Sequence, residues 1–148
     1  MYIGLLHLHN AARWLVLLVA VIAVVVAIVG LVRGAPWHRG GKLSGLAYVI
    51  VMDVQLLIGL LLYVVSPLVR AAMGDVSLAM SNTQLRFYLI EHALLMVIAV
   101  VLVHVGYAMA KRAASARAAY LRSLPFYLLG LILLLAGIPW DRALFPGA

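Results

Sequence analysis

The chain has 148 residues, 68% of them hydrophobic and 10% charged, with a formal net charge of +7. A soluble domain carries about 25% charged residues, so this composition excludes an ordinary water-soluble globule. Cysteine is absent, which excludes disulfides, thiolate metal sites and iron–sulfur clusters, and the basic residues flank apolar runs, which assigns them to membrane topology rather than to nucleic acid.

The first apolar run is Leu5–Val32. Its start has no basic region and the run is too long for a signal-peptide core, so it is expected to stay as a span. The others are Leu43–Val65, Leu85–Ala110 and Leu124–Ile138, the last short enough that it could begin as early as Tyr120. Each approaches or exceeds the ~20 apolar residues that cross a bilayer. Gly34, Pro36 and Gly40-Gly41 break the first gap, Ser66-Pro67 opens the second, and Gly74 to Asn82 supplies a polar loop. Backbone groups in lipid must be satisfied internally and no alternating strand pattern is present, so the spans are helices. The expected fold is all-α, a single antiparallel four-helix transmembrane bundle over residues 1–148.

Arg33, Arg39 and Lys42 fall in the first loop, and Lys111, Arg112, Arg117 and Arg122 in the third. Arg70, Arg86 and Arg142 on the other side are partly offset by Asp75 and Asp141. The positive-inside rule therefore places both loops in the cytoplasm and both termini outside.

Intramembrane ionisable groups mark function more often than chance. Counting at ~1.5 Å per residue from Lys111, His92 lies ~28 Å and Glu91 ~30 Å across; from Arg33, Arg13 lies ~30 Å and His9 ~36 Å across. Antiparallel packing thus gathers His7, His9, Arg13, Arg86, Glu91 and His92 at the outer face. Arg13 and Glu91 match in depth and opposite charge, which predicts a structural ion pair. His9 and His92 are candidates for coordinating one group between two helices, although their depths differ by ~8 Å. Gln55, Gly59 and Tyr63 share one stripe of the second helix, and Gly59 lets a helix or a planar ligand approach the backbone. Deeper down, Asp53 and His104 match closely enough to form a buried polar pair, either satisfying one another or serving a proton or quinone head group. His38, in a basic loop, has no expected role in chemistry.

The string His9-Asn10-Ala11-Ala12-Arg13-Trp14, then Gln55 to Leu60 with Tyr63, then Arg86-Phe87, Glu91-His92 and Met96, with Lys111 and Ile138-Pro139-Trp140, spans nearly the whole chain. It resembles a family of small bacterial four-span membrane proteins labelled cytochrome b or cytochrome-b-like. The resemblance implies a bacterial inner-membrane protein in which His9 and His92 bind the iron of one b-type haem near the outer face, with Arg13, Gln55, Arg86 and Glu91 as companions. It implies electron transfer, with a quinol or another redox partner, as a component of an oxidoreductase system. Two haems are not expected, because His104 has no intramembrane histidine at its depth. Two other classes stay open: a divalent metal site built from His7, His9, Glu91 and His92, and a cofactor-free accessory subunit of a larger membrane complex or homo-oligomer. Topology is directly testable: reporter domains fused after Gly40 and after Gly147 should report opposite sides of the membrane, and the same side for both would refute it.

Overall fold

The computed structural model describes residues 1–140; Asp141 and Arg142, counted above among the outer charges, lie outside the described residues. Four helices are long and apolar enough to cross a membrane: Tyr2–Arg33, Trp37–Val65, Thr83–Lys111 and Ala116–Gly137. The first is α1, Tyr2–Arg33. A π-helical turn, Trp37–Gly41, leads into α2, Lys42–Val65. Three short helices follow: α3, Pro67–Gly74; α4, Val76–Ser81; and α5, Thr83–Arg86. A second π-helical turn, Phe87–Glu91, leads into α6, His92–Lys111, and α7 is Ala116–Gly137. The long helices form a closed antiparallel ring: α1 packs on α2 and α7, and α6 packs on α2 and α7. This is the four-helix transmembrane bundle that the hydropathy pattern predicts.

Two boundaries differ from the sequence reading. The polar stretch from Gly74 to Asn82 is not an open loop, because it takes part in α3–α5. Each of these helices is started by a side-chain cap: Ser66 Oγ accepts from the Val69 N–H, Asp75 Oδ1 from Leu78, and Asn82 Oδ1 from Gln84 and Leu85. Capping oxygens of this kind satisfy otherwise orphaned first-turn donors. The fourth span begins at Ala116 rather than Leu124, capped by Ser115 Oγ on the Ala118 N–H, and it carries Pro125 inside the helix. Neighbouring helices let a membrane helix tolerate that missing donor.

The buried face of α1 is built from small residues, which large rings from other helices pack against. On α1 the buried face is Val16, Ala20, Ala23, Val24, Ala27 and Gly30, while Leu18, Val21, Val25 and Ile28 point outward. Acyl chains are as apolar as leucine, so burying leucine gains little in a bilayer; close backbone approach through small residues gains van der Waals contact. Across the bundle axis, α2 and α7 interlock reciprocally. Tyr127 sits against Gly45 and Tyr48 against Gly130, with the two rings 5.7 Å apart in a T-shape. A Cβ at Gly130 would stand 3.1 Å from the Tyr48 hydroxyl and closer still to Val103, and one at Gly45 would meet the Tyr127 hydroxyl. Both hydroxyls are buried without a hydrogen-bond partner among the described residues, so these rings act as plugs and not as polar links.

Filling either notch should therefore cost stability. Gly130→Val is expected to destabilise the folded bundle by about 1–3 kcal/mol through overpacking, read as a lower Tm in detergent. Tyr48→Phe keeps the plug and removes an unpartnered hydroxyl, so its Tm should be unchanged or higher; a Tyr48→Phe loss as large as that of Gly130→Val would refute the interlock.

Candidate functional site

At the end of the bundle where α1 begins, α1, α2, α3, α6 and the end of α7 line a cavity of about 400 Å³, within the usual range of small-molecule sites. His9 and Arg13 of α1, Gln55 and Gly59 of α2, and His92 and Met96 of α6 all line it. Its floor is apolar, formed by Val16, Met52, Val100 and Leu134, and Leu68 and Val69 of α3 add a wall. Sequence reasoning missed that wall; Ser66-Pro67, a capping residue followed by a first-turn proline, was the available signal.

The His9 and His92 rings approach each other edge to face, with centroids 6.2 Å apart and planes inclined at 74°. The ~8 Å depth mismatch counted along straight helices does not keep them apart. His92 is held from behind: its Nδ1 lies 2.7 Å from the Gly137 carbonyl. A carbonyl only accepts, so Nδ1 carries the hydrogen and Nε2 keeps its lone pair. Gly137 is the last residue of α7, where helix carbonyls lack intrahelical partners, so the helix end serves as the orienting group that a ligating histidine needs. Phe87 and Tyr88 pack around His92 at 5.7 and 6.4 Å.

His9 is placed by α2. Gln55 Nε2 donates to the His9 carbonyl at 3.0 Å, tying the two helices together at this level. Gly59 provides the space for the ring: a Cβ there would lie 3.3 Å from His9 Cε1 and 3.8 Å from Nδ1. Three buried atoms on this one cavity have no hydrogen-bond partner among the described residues: His9 Nδ1, Arg13 Nε and Gln55 Oε1. An unsatisfied buried polar atom costs about 1–3 kcal/mol, and three of the six such atoms lie here.

The expected Arg13–Glu91 pair is not formed. Glu91 Oε1 instead accepts from Arg86 Nε at 2.7 Å, and Arg86 Nη1 also donates to the Met80 carbonyl at 3.1 Å. The cause is the π-helical turn Phe87–Glu91, whose i to i+5 repeat brings residues five apart onto one face. A straight α-helix would splay Arg86 and Glu91 apart. The Leu89 carbonyl within that turn accepts from the Tyr63 hydroxyl at 2.8 Å, so α2 braces the distortion. Arg13 is left 9% exposed beside the cavity, with its guanidinium 5.3 Å from the Trp14 ring.

The remaining sequence candidates fall elsewhere. His7 and His38 are exposed. His104 Nε2 lies 3.3 Å from Asp53 Oδ2, but both side chains are only half covered, at 44% and 45% exposure, so the pair exists without being buried. Among the described residues no group of three or more His, Cys, Asp or Glu side chains is arranged to hold a metal ion, and His7, His9, Glu91 and His92 form no such group. No family model matches the chain, and no curated protein or solved structure is found to be similar to it.

The corrected pairing has a mechanical test. Glu91→Gln should weaken the Arg86 link at a half-exposed site and lower Tm by no more than a surface ion pair would, under about 1 kcal/mol. Breaking a buried Arg13 pair would cost about 3–5 kcal/mol, and a loss of that size for Glu91→Gln would reinstate the Arg13–Glu91 pair.

Proposed function

We propose that the outer cavity holds one b-type haem between His9 and His92, and that the protein is an electron-transfer component of a bacterial inner membrane with both termini outside. The observation that carries this reading is the facing pair of imidazoles. Imidazole nitrogens bind metals at about 2.0–2.1 Å, and the ring centre lies about 1.2 Å behind the nitrogen, so two rings across one metal stand roughly 6–6.5 Å apart. The separation here is 6.2 Å. With one nitrogen pair and no third protein ligand among the described residues, the donor set suits an iron whose other positions are filled by a macrocycle.

The rest of the cavity fits the same group. His92 presents Nε2 because the Gly137 carbonyl fixes Nδ1 as the protonated nitrogen. Gly59 leaves room for the ring of His9. Arg13, a nearly buried cation whose Nε is unpartnered, offers charge and a donor to the carboxylates such a group carries. The apolar floor of Met52, Val100 and Leu134 excludes water. A bound haem supplies one-electron transfer; the protein sets its potential through the two ligands and the nearby positive charge of Arg13. The accessory-subunit reading leaves the three unsatisfied atoms of the cavity unexplained.

Detergent-purified protein made in haem-replete cells should show a low-spin b-type spectrum on reduction with dithionite. His92→Ala and His9→Ala should each abolish its sharp α-band, His38→Ala should leave it intact, and Arg13→Met should keep it while lowering the midpoint potential. Colourless wild-type protein, or an α-band that survives His92→Ala, would overturn the haem reading.

A further inference from the structure

Asp53 and His104 take no part in the outer cavity. They lie in the inner half of the bilayer, ~16 Å from Lys42 and ~10 Å from Lys111 along their helices. His104 Nδ1 lies 2.9 Å from the Val100 carbonyl, so it carries a hydrogen and Nε2 is left to face Asp53 Oδ2 at 3.3 Å. Asp53 Oδ1 has no hydrogen-bond partner among the described residues.

A polar pair that only satisfied itself would be packed between helices. This one sits on the outer flank of α2 and α6, 44% and 45% exposed, amid the lipid-facing side chains Ile50, Val54, Leu57 and Val101. Acyl chains offer it no hydrogen bond. The flank also includes the least covered helix: 17% of the most apolar stretch of the second span is buried, against 33–39% in the other three.

We propose that this flank is the interface with a second copy of the chain, in which the Asp53–His104 pairs of the two copies meet. Copies inserted with the same orientation are related by a two-fold axis along the membrane normal, which brings equivalent residues to equal depth. A patch that carries an acid and a base at one depth is then complementary to itself, as a two-fold interface requires. The imidazole side of each pair then faces the carboxylate side of the other, and four polar groups leave the acyl layer together. Polar contacts between helices are among the forces that hold helices together in lipid. A different subunit would have to supply its own acid and base at this depth.

The chain has no cysteine, so single-cysteine variants report the interface cleanly in proteoliposomes. Oxidation of Val54→Cys is expected to give a disulfide-linked dimer, and oxidation of Val25→Cys, equally exposed but on α1, is not. Adding Asp53→Leu with His104→Leu removes both partners and strands no charge; it should weaken association by roughly 5- to 30-fold, as loss of polar contacts between helices does, and leave the helical circular dichroism unchanged. Three results would overturn the proposal: no dimer from Val54→Cys, equal dimer from Val25→Cys, or association unaffected by the double substitution. A photo-cross-linker at position 54 in native membranes that captures only a different chain would also overturn it. None of these readouts depends on haem.

Discussion

Every polar group inside the acyl layer must find its partner within the protein, and that constraint organises this bundle. Helices meet it for the backbone. Side chains meet it by reaching across helices to carbonyls: Gln55 to His9, Tyr63 to Leu89, His92 to Gly137 and Tyr120 to Pro36. These bonds also fix position. Three of the four converge on the end where α1 begins, where they set α2 against α1, α2 against the turn before α6, and α6 against the end of α7. This end is thereby heavily braced, and among the described residues three of the six unsatisfied buried polar atoms, His9 Nδ1, Arg13 Nε and Gln55 Oε1, lie around one cavity. Their concentration there is what the proposed occupant of the cavity would account for.

The π-helical turn Phe87–Glu91 is the local device behind that arrangement. One extra residue per turn changes the phase of everything before it relative to α6. Arg86 and Glu91 become neighbours and neutralise one another near the surface, which frees Arg13 from a structural pairing. Phe87 and Tyr88 close around His92. Such turns are less stable than continuous α-helix and recur where a side chain must be aimed. Here Tyr63 braces the turn by donating to its Leu89 carbonyl.

Hydropathy made the four spans and their antiparallel order legible, because long apolar runs in lipid have few other solutions. Depth counting brought His9 and His92 to one end, and the stripe of Gln55, Gly59 and Tyr63 was legible from its four-residue spacing. All three do contact the first or third span. The Arg13–Glu91 pairing was not recoverable, since counting assumes a straight α-helix and nothing in Phe87–Glu91 announces an i to i+5 turn. The short helices α3–α5 were recoverable in principle from Ser66, Asp75 and Asn82, each a good cap. They were obscured because polar residues between spans read equally well as loop. The small-residue face of α1 was written plainly as Ala20, Ala23, Ala27 and Gly30, but hydropathy alone reads that segment as uniformly apolar.

The layer between the two polar sites limits what the bundle can do. His92 and His104 are twelve residues apart, ~18 Å along α6, and the space between is closed by Met52, Val100 and Val103, all 8% exposed or less. The Tyr48 and Tyr127 hydroxyls in the core are unpartnered, so they link no chain of proton carriers. An ion or proton path would need polar groups or water in succession across this layer, and the packing supplies a dry plug. The proposed haem and the proposed interface would thus occupy opposite halves of one small bundle, each at a level where the other makes no demand on packing.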